Sequence, residues 1–147
     1  MKALLAALLL LVSISTADAR VQTPSYTERD VRCLATNIYH EARGEGYLGG
    51  LAVAVVTLNR TRHVDYPRTV CEVVYQPQQF SWTNRRGHKP TTNPASIYLA
   101  RVALSHRHPL RGLRATHYHT TAVRPGWRLH LKRVTHIGNH VFYSTKL

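Results

Sequence analysis

Residues 37 to 63 read NIYHEARGEGYLGGLAVAVVTLNRTRH, two carboxylates and a run of glycines set between two stretches of opposite character. Upstream, Thr27 to Glu41 carries Val31, Leu34, Ala35 and Ile38 at the i, i+3, i+4, i+7 spacing of an amphipathic helix. Thr27 and Asp30 form a capping box with Asp in place of the usual Glu or Gln, and Glu28 and Asp30 complement the dipole of the first turn. Downstream, Leu51 to Leu58 is apolar on every side, and Tyr47 to Arg62 has helix length. This segment is read as a central buried helix with Leu48, Leu51, Ala52, Val55 and Leu58 in its stripe. The glycines at 44, 46, 49 and 50 break the chain between the two helices.

The remainder follows the same logic. Thr69 to Tyr75 reads as a short helix and Gln76 to Asn93 as a polar loop holding Phe80 and Trp82. Asn93-Pro94 caps a helix over Ala95 to His106, with Ile97, Ala100, Val102, Ala103 and Leu104 inward. The period then changes to two: Thr116 to Thr120 alternates, and Gly138-Asn139 joins Arg133–Ile137 to His140–Tyr143 as a hairpin. Trp127 is expected in the core. Helices first and a small antiparallel sheet last make an α+β domain.

Met1-Lys2, an apolar run from Ala3 to Val12 and Ala17-Asp18-Ala19 read as a secretory signal peptide over residues 1–19, which predicts a secreted or periplasmic protein. Residues 20–147 then form one domain. Two cysteines in an exported chain favour a disulfide, and pairing Cys33 with Cys71 would tie the short helix to the first.

Behind the leader stand 19 Lys and Arg against six acids, namely Glu28, Asp30, Glu41, Glu45, Asp65 and Glu72. Such a field gathers polyanions; export argues against nucleic acid and for anionic cell-envelope polymers. It also shortens the search for a catalytic acid. Glu41 lies seven residues after Leu34 and three after Ile38, so it extends the apolar stripe, where desolvation raises a carboxylate's pKa. Glu45, in a glycine-rich turn, is the weaker candidate and a possible second carboxylate. Ten histidines, with His117-x-His119 on one strand face, prompt a zinc amidase as a rival; HEARG, however, lacks the second histidine of a zinc helix. A cationic envelope-binding module without catalysis is the other.

NIYHEARGEGYLGGLAVAVVTLNRTRH, YPRTVCEVVYQPQQFSW, ATHYHT, the tryptophan of RPGW and IGNHVFY occur together in one order. In these motifs the chain resembles the SleB-type cell-wall hydrolases, named for the spore cortex-lytic enzymes, over roughly residues 29–144. The resemblance implies a lysozyme-like, lytic-transglycosylase-related fold that cuts the glycan strands of peptidoglycan. Glu41 maps onto the first Glu of the family's E-A-R-G-E motif, its catalytic acid/base. Gln79, Phe80 and Ser81, and Thr116, His117, Tyr118 and His119, match family motifs expected to line the cleft. A monomer with no cofactor and no metal is expected, acting as a lytic transglycosylase with one Glu or as a muramidase with Glu41 and Glu45.

Overall fold

The computed structural model describes residues 26–85, 87 and 89–145; the predicted signal peptide lies outside them. The chain runs through α1 (Glu28–Ala42), α2 (Gly46–Thr61), α3 (Val70–Val74), a 3-10 turn (Ser81–Asn84), α4 (Pro94–Leu104), β1 (His117–Thr120), a second 3-10 turn (Gly126–His130), β2 (Lys132–Ile137) and β3 (His140–Ser144). Among the described residues the helices come first and the strands form one antiparallel sheet of order β1-β3-β2.

α1 starts where the sequence says it should. Thr27 Oγ1 accepts from the Asp30 backbone N–H while the Asp30 carboxylate accepts from the Thr27 N–H, closing the capping box. Glu28 goes beyond the dipole role: both of its oxygens accept from Arg101 of α4 at 2.9 Å, fastening the first helix to the fourth on the surface.

α2 is the spine. Every residue from Gly49 to Leu58 is buried, so α1, α3 and α4 all pack on it. Gly50 permits the approach of α4, since a Cβ there would stand 2.6 Å from Leu99 Cδ1. Each large aliphatic chain buried here contributes about 1.5–3 kcal/mol of transfer free energy. The predicted stripe is right except at Leu48, which is 47% exposed because it sits in the first turn, before α2 dives under α4. In α4, Ser96 and Leu99 are buried in place of Ile97 and Val102, which only flank the core, so the inward face is rotated slightly from the predicted one.

Polar groups knit this core as well. Asn37, fully buried in α1, donates to Thr57 Oγ1 of α2 at 3.2 Å and accepts from Trp82 Nε1 at 3.3 Å. Trp82 and Phe80 are thus covered by the protein itself, at 5% and 3% exposure. Trp127 departs from expectation: it is 37% exposed, on the outer face of the sheet against His117, His119 and Tyr143. β1 and β3 fill their inner face with Tyr118 and Phe142, which leaves no place there for an indole.

Cys33 and Cys71 form the expected disulfide, joining α1 to α3 across 38 residues. Closing a loop of that length stabilises by about 4 kcal/mol in the chain-entropy picture. A Cys33→Ala/Cys71→Ala variant should unfold at lower urea concentration by about that free energy, which equilibrium denaturation measures directly.

Candidate active site

Glu41 occupies the last turn of α1, half-buried, one residue before the helix ends at Ala42. Its side chain faces the sheet, and Oε2 accepts a hydrogen bond from the Tyr118 hydroxyl of β1 at 3.1 Å. Burial pushes the Glu41 carboxyl above its ordinary range; the Tyr118 hydrogen bond and the positive charge of Arg60 pull in the opposite direction and do not outweigh it. Tyr118 is itself driven well above its usual range, by desolvation first and by Glu41 second. It therefore stays a neutral phenol that can only donate to the carboxylate.

Arg60, which the sequence reading passed over, supplies the charge. At the C-terminal end of α2, 5% exposed, it donates from Nε to the Thr116 carbonyl at 2.8 Å, and its guanidinium lies over the rings of Tyr66 (5.2 Å) and Phe80 (5.4 Å). Its Nη1 is buried with no hydrogen-bond partner. A buried cation is costly to hold, and Arg60 is held by the Thr116 carbonyl and two aromatic faces while its charge reaches the desolvated acid. The signal available in the sequence was an arginine ending an otherwise apolar helix, which ordinarily reads as a solvated end.

Glu45 has a different job. It precedes α2, yet its carboxylate makes no cap hydrogen bond and reaches across to the hairpin, accepting from the Asn139 backbone N–H at 2.7 Å and from Asn139 Nδ2 at 3.1 Å. These hydrogen bonds hold its pKa below the ordinary value. Gly138 adopts φ +57°, and a Cβ on it would run into this carboxylate, so the turn needs glycine for both reasons. His140 Nδ1 lies 3.8 Å from Glu45 Oε2, but burial lowers the imidazole's pKa, so at neutral pH this contact is not an ion pair.

Of the other residues expected in the cleft, the structure brings Tyr118 alone to Glu41. Strand alternation sends His117 and His119 to the opposite face, where their Nε2 atoms meet the hydroxyls of Tyr66 (3.3 Å) and Tyr143 (3.0 Å). Thr116 is buried and serves through its carbonyl, which receives Arg60. Phe80 is core beneath Arg60; Gln79 is half-buried and Ser81 exposed at the start of the 3-10 turn. Among the described residues no three His, Cys, Asp or Glu side chains converge as a metal site would require. Arg43, two residues beyond Glu41, turns away from it and donates from Nη1 to the Tyr39 hydroxyl at 3.2 Å.

A helical body closed by a three-stranded sheet, with one desolvated carboxylate at their junction, defines a lysozyme-like α+β domain of the lytic-transglycosylase-related kind. The cell wall hydrolase family matches residues 44–143, and the chain belongs to that family. Glu41 lies three residues before the matched stretch, so its part is argued from geometry. A spore cortex-lytic enzyme of Halalkalibacterium halodurans is 31% identical over 118 residues, 80% of this chain and 35% of the relative. One from Bacillus cereus is 43% identical over 56 residues, 38% of this chain and 22% of the relative. The chain thus spans about a third or less of the length of these relatives. Two solved structures share the fold: the catalytic domain of the germination-specific lytic transglycosylase SleB from Bacillus anthracis (TM-score 0.73, 29% identity, 82% of this chain and 98% of that one) and the catalytic domain of Bacillus cereus SleB (TM-score 0.72, 29% identity, 82% and 94%).

Two outcomes follow from the electrostatics. Tyr118→Phe removes a hydrogen bond that favours the ionised acid, so the Glu41 pKa should rise further, as a carboxyl ¹³C NMR titration would register. Glu45, whose folded pKa is depressed, adds stability that is fully present above its unfolded pKa and lost as pH falls through the folded one. Glu45→Gln should therefore cost about 2 kcal/mol at neutral pH and flatten the acid limb of the stability profile, read from urea melts across pH.

Proposed function

We propose that this domain cleaves the β-1,4 bond between N-acetylmuramic acid and N-acetylglucosamine in peptidoglycan, outside the cytoplasm, as a lytic transglycosylase with Glu41 as its one catalytic carboxylate. The observation that carries this reading is the contrast between the two acids of the HEARGEG turn. Glu41 is half-buried with a raised pKa and a single tyrosine donor, whereas both oxygens of Glu45 are occupied by Asn139. The fold shared with a domain described as a lytic transglycosylase supports it.

The chemistry needs one group that gives a proton and takes one back. Protonated Glu41 delivers its proton to the glycosidic oxygen as the bond from muramic C1 to that oxygen breaks, and positive charge develops at C1. The carboxylate left behind is stabilised by the Tyr118 hydroxyl and by the charge of Arg60. It then removes the proton from the muramic C6 hydroxyl, whose oxygen bonds to C1. The product is a 1,6-anhydro ring, Glu41 is protonated again, and no water is consumed.

A two-carboxylate hydrolase would place its partner acid at about 5 Å for retention or about 6.5–9.5 Å for inversion, free to attack C1 or activate water. Glu45 would have to abandon its hydrogen bonds to Asn139 first, at the expense of the hairpin it holds. A zinc amidase lacks a ligand set among the described residues, and a purely cationic binding module gives no reason for a desolvated acid.

Glu41→Gln should lower release of soluble fragments from purified peptidoglycan by about 10³-fold, within the range for loss of a general acid. Wild-type products should carry anhydro-muramic ends, one water lighter by mass spectrometry than reducing ends. Full activity in Glu41→Gln sinks the assignment, and reducing ends sink the transglycosylase outcome. Stability supplies an independent check. A raised folded pKa means that stability from this group is present at low pH and lost as pH rises through that value, so at neutral pH Glu41→Gln should melt above wild type.

A further inference from the structure

On the other flank of α1's C-terminal end lies a groove of about 560 Å³ to which the chemistry above assigns nothing. Its floor is apolar, with Ile38 and Leu99, and its walls are Tyr39, Tyr47 and Tyr98, with Arg43 at the end. Tyr47 and Tyr98 are 45% and 60% exposed, an unusual outlay of aromatic surface in so small a domain. Arg43 is not a loose surface cation: its guanidinium is 5.3 Å from the Tyr39 ring centroid and bonds the Tyr39 hydroxyl. Among the described residues no carboxylate lines this groove. It is a preformed receptor for a ligand with small apolar groups and an anionic one.

Tyr39 and Glu41 are two residues apart on α1, which sets them about 160° apart around a helix roughly 10–12 Å across. A rigid glycan chain seated at Glu41 does not turn that corner, but a flexible branch does. Each muramic unit carries such a branch on its lactyl group, a short peptide with alanine methyls and free carboxylates. Four extended residues reach about 14 Å, enough to pass around the helix end over Gly44 and Gly46.

We propose that this groove receives the peptide stem of the muramic unit whose bond is cut at Glu41, with Arg43 taking a stem carboxylate and Tyr39, Tyr47 and Tyr98 packing on the stem's backbone and methyls. The proposal rests on the glycan-cleaving reading, and makes the enzyme selective for strands that still bear stems.

The test compares kcat/KM of the full protein on peptidoglycan strands bearing tetrapeptide stems with the same strands stripped by an amidase. Wild type should favour the stem-bearing substrate by about tenfold, the scale of one charge-assisted hydrogen bond. That ratio should fall toward one in Arg43→Gln and in Tyr98→Ala, and recover in part in Arg43→Lys. Both side chains are exposed, so neither change should disturb the fold. A wild-type ratio near one, or a ratio untouched in both variants, overturns the proposal. Free stem tetrapeptide titrated into the wild-type protein should shift the NMR signals of Arg43 and Tyr98. If neither strand is cleaved, the glycan reading falls, and the groove is then judged by that titration: no shift rejects the stem site.

Discussion

A carboxylate at the C-terminal end of a helix is opposed by the helix dipole, and a carboxylate withdrawn from water is opposed by desolvation. Glu41 meets both conditions, and the 3.1 Å hydrogen bond from Tyr118 eases them. Because Tyr118 belongs to β1 and Glu41 to α1, the acid is tuned only where the sheet is seated correctly on the helices. Two further ties seat it: Arg60 of α2 grips the Thr116 carbonyl at the start of β1, and Glu45 grips the Asn139 turn between β2 and β3. The two carboxylates of one short motif thus work on the same sheet, one in chemistry by our proposal and one in assembly.

This arrangement depends on a rigid base. The charge of Arg60 reaches Glu41 across a base in which α1 and α2 are pinned by apolar packing, by the Asn37–Thr57 hydrogen bond in the core and, for α1, by the disulfide to α3. Asn37 stands one turn before Glu41 and also receives Trp82, so the loop after α3 is fixed by the same residue that fixes the helix. Misplacing that side chain by an ångström would move the acid relative to its tyrosine. A scaffold built this way keeps a desolvated carboxylate from relaxing into solvent.

Much of this was legible in the sequence, because it depended on local spacing. The capping box at Thr27, the break at Gly44, the buried second helix and the hairpin at Gly138-Asn139 all appear as predicted. So does the partial burial of Glu41, which followed from its place on the apolar stripe. What was not legible depended on contacts between distant segments. Glu45 and Asn139 are 94 residues apart, and nothing near either announces the other. Alternation put His117 and His119 on one strand face, but only the sheet's orientation decides that Tyr118, between them, is the residue that meets Glu41. Trp127 looked like core and is instead 37% exposed, and Arg60, which the sequence reading left without a role, is buried at 5% exposure; tertiary packing decides both.

The charge of the chain sharpens the role of burial. With 20 Lys and Arg against seven acids, a carboxylate here would be expected to ionise more readily than usual. Glu41 does the opposite: burial outweighs the positive charge of Arg60. Surface cations farther away are screened within roughly 8–10 Å at ordinary ionic strength, and a half-buried group at a helix end feels its immediate walls instead. The acid and the basic exterior are therefore electrostatically separate. The exterior can be strongly positive while the proton affinity of Glu41 stays under the control of Tyr118, Arg60 and the loss of water.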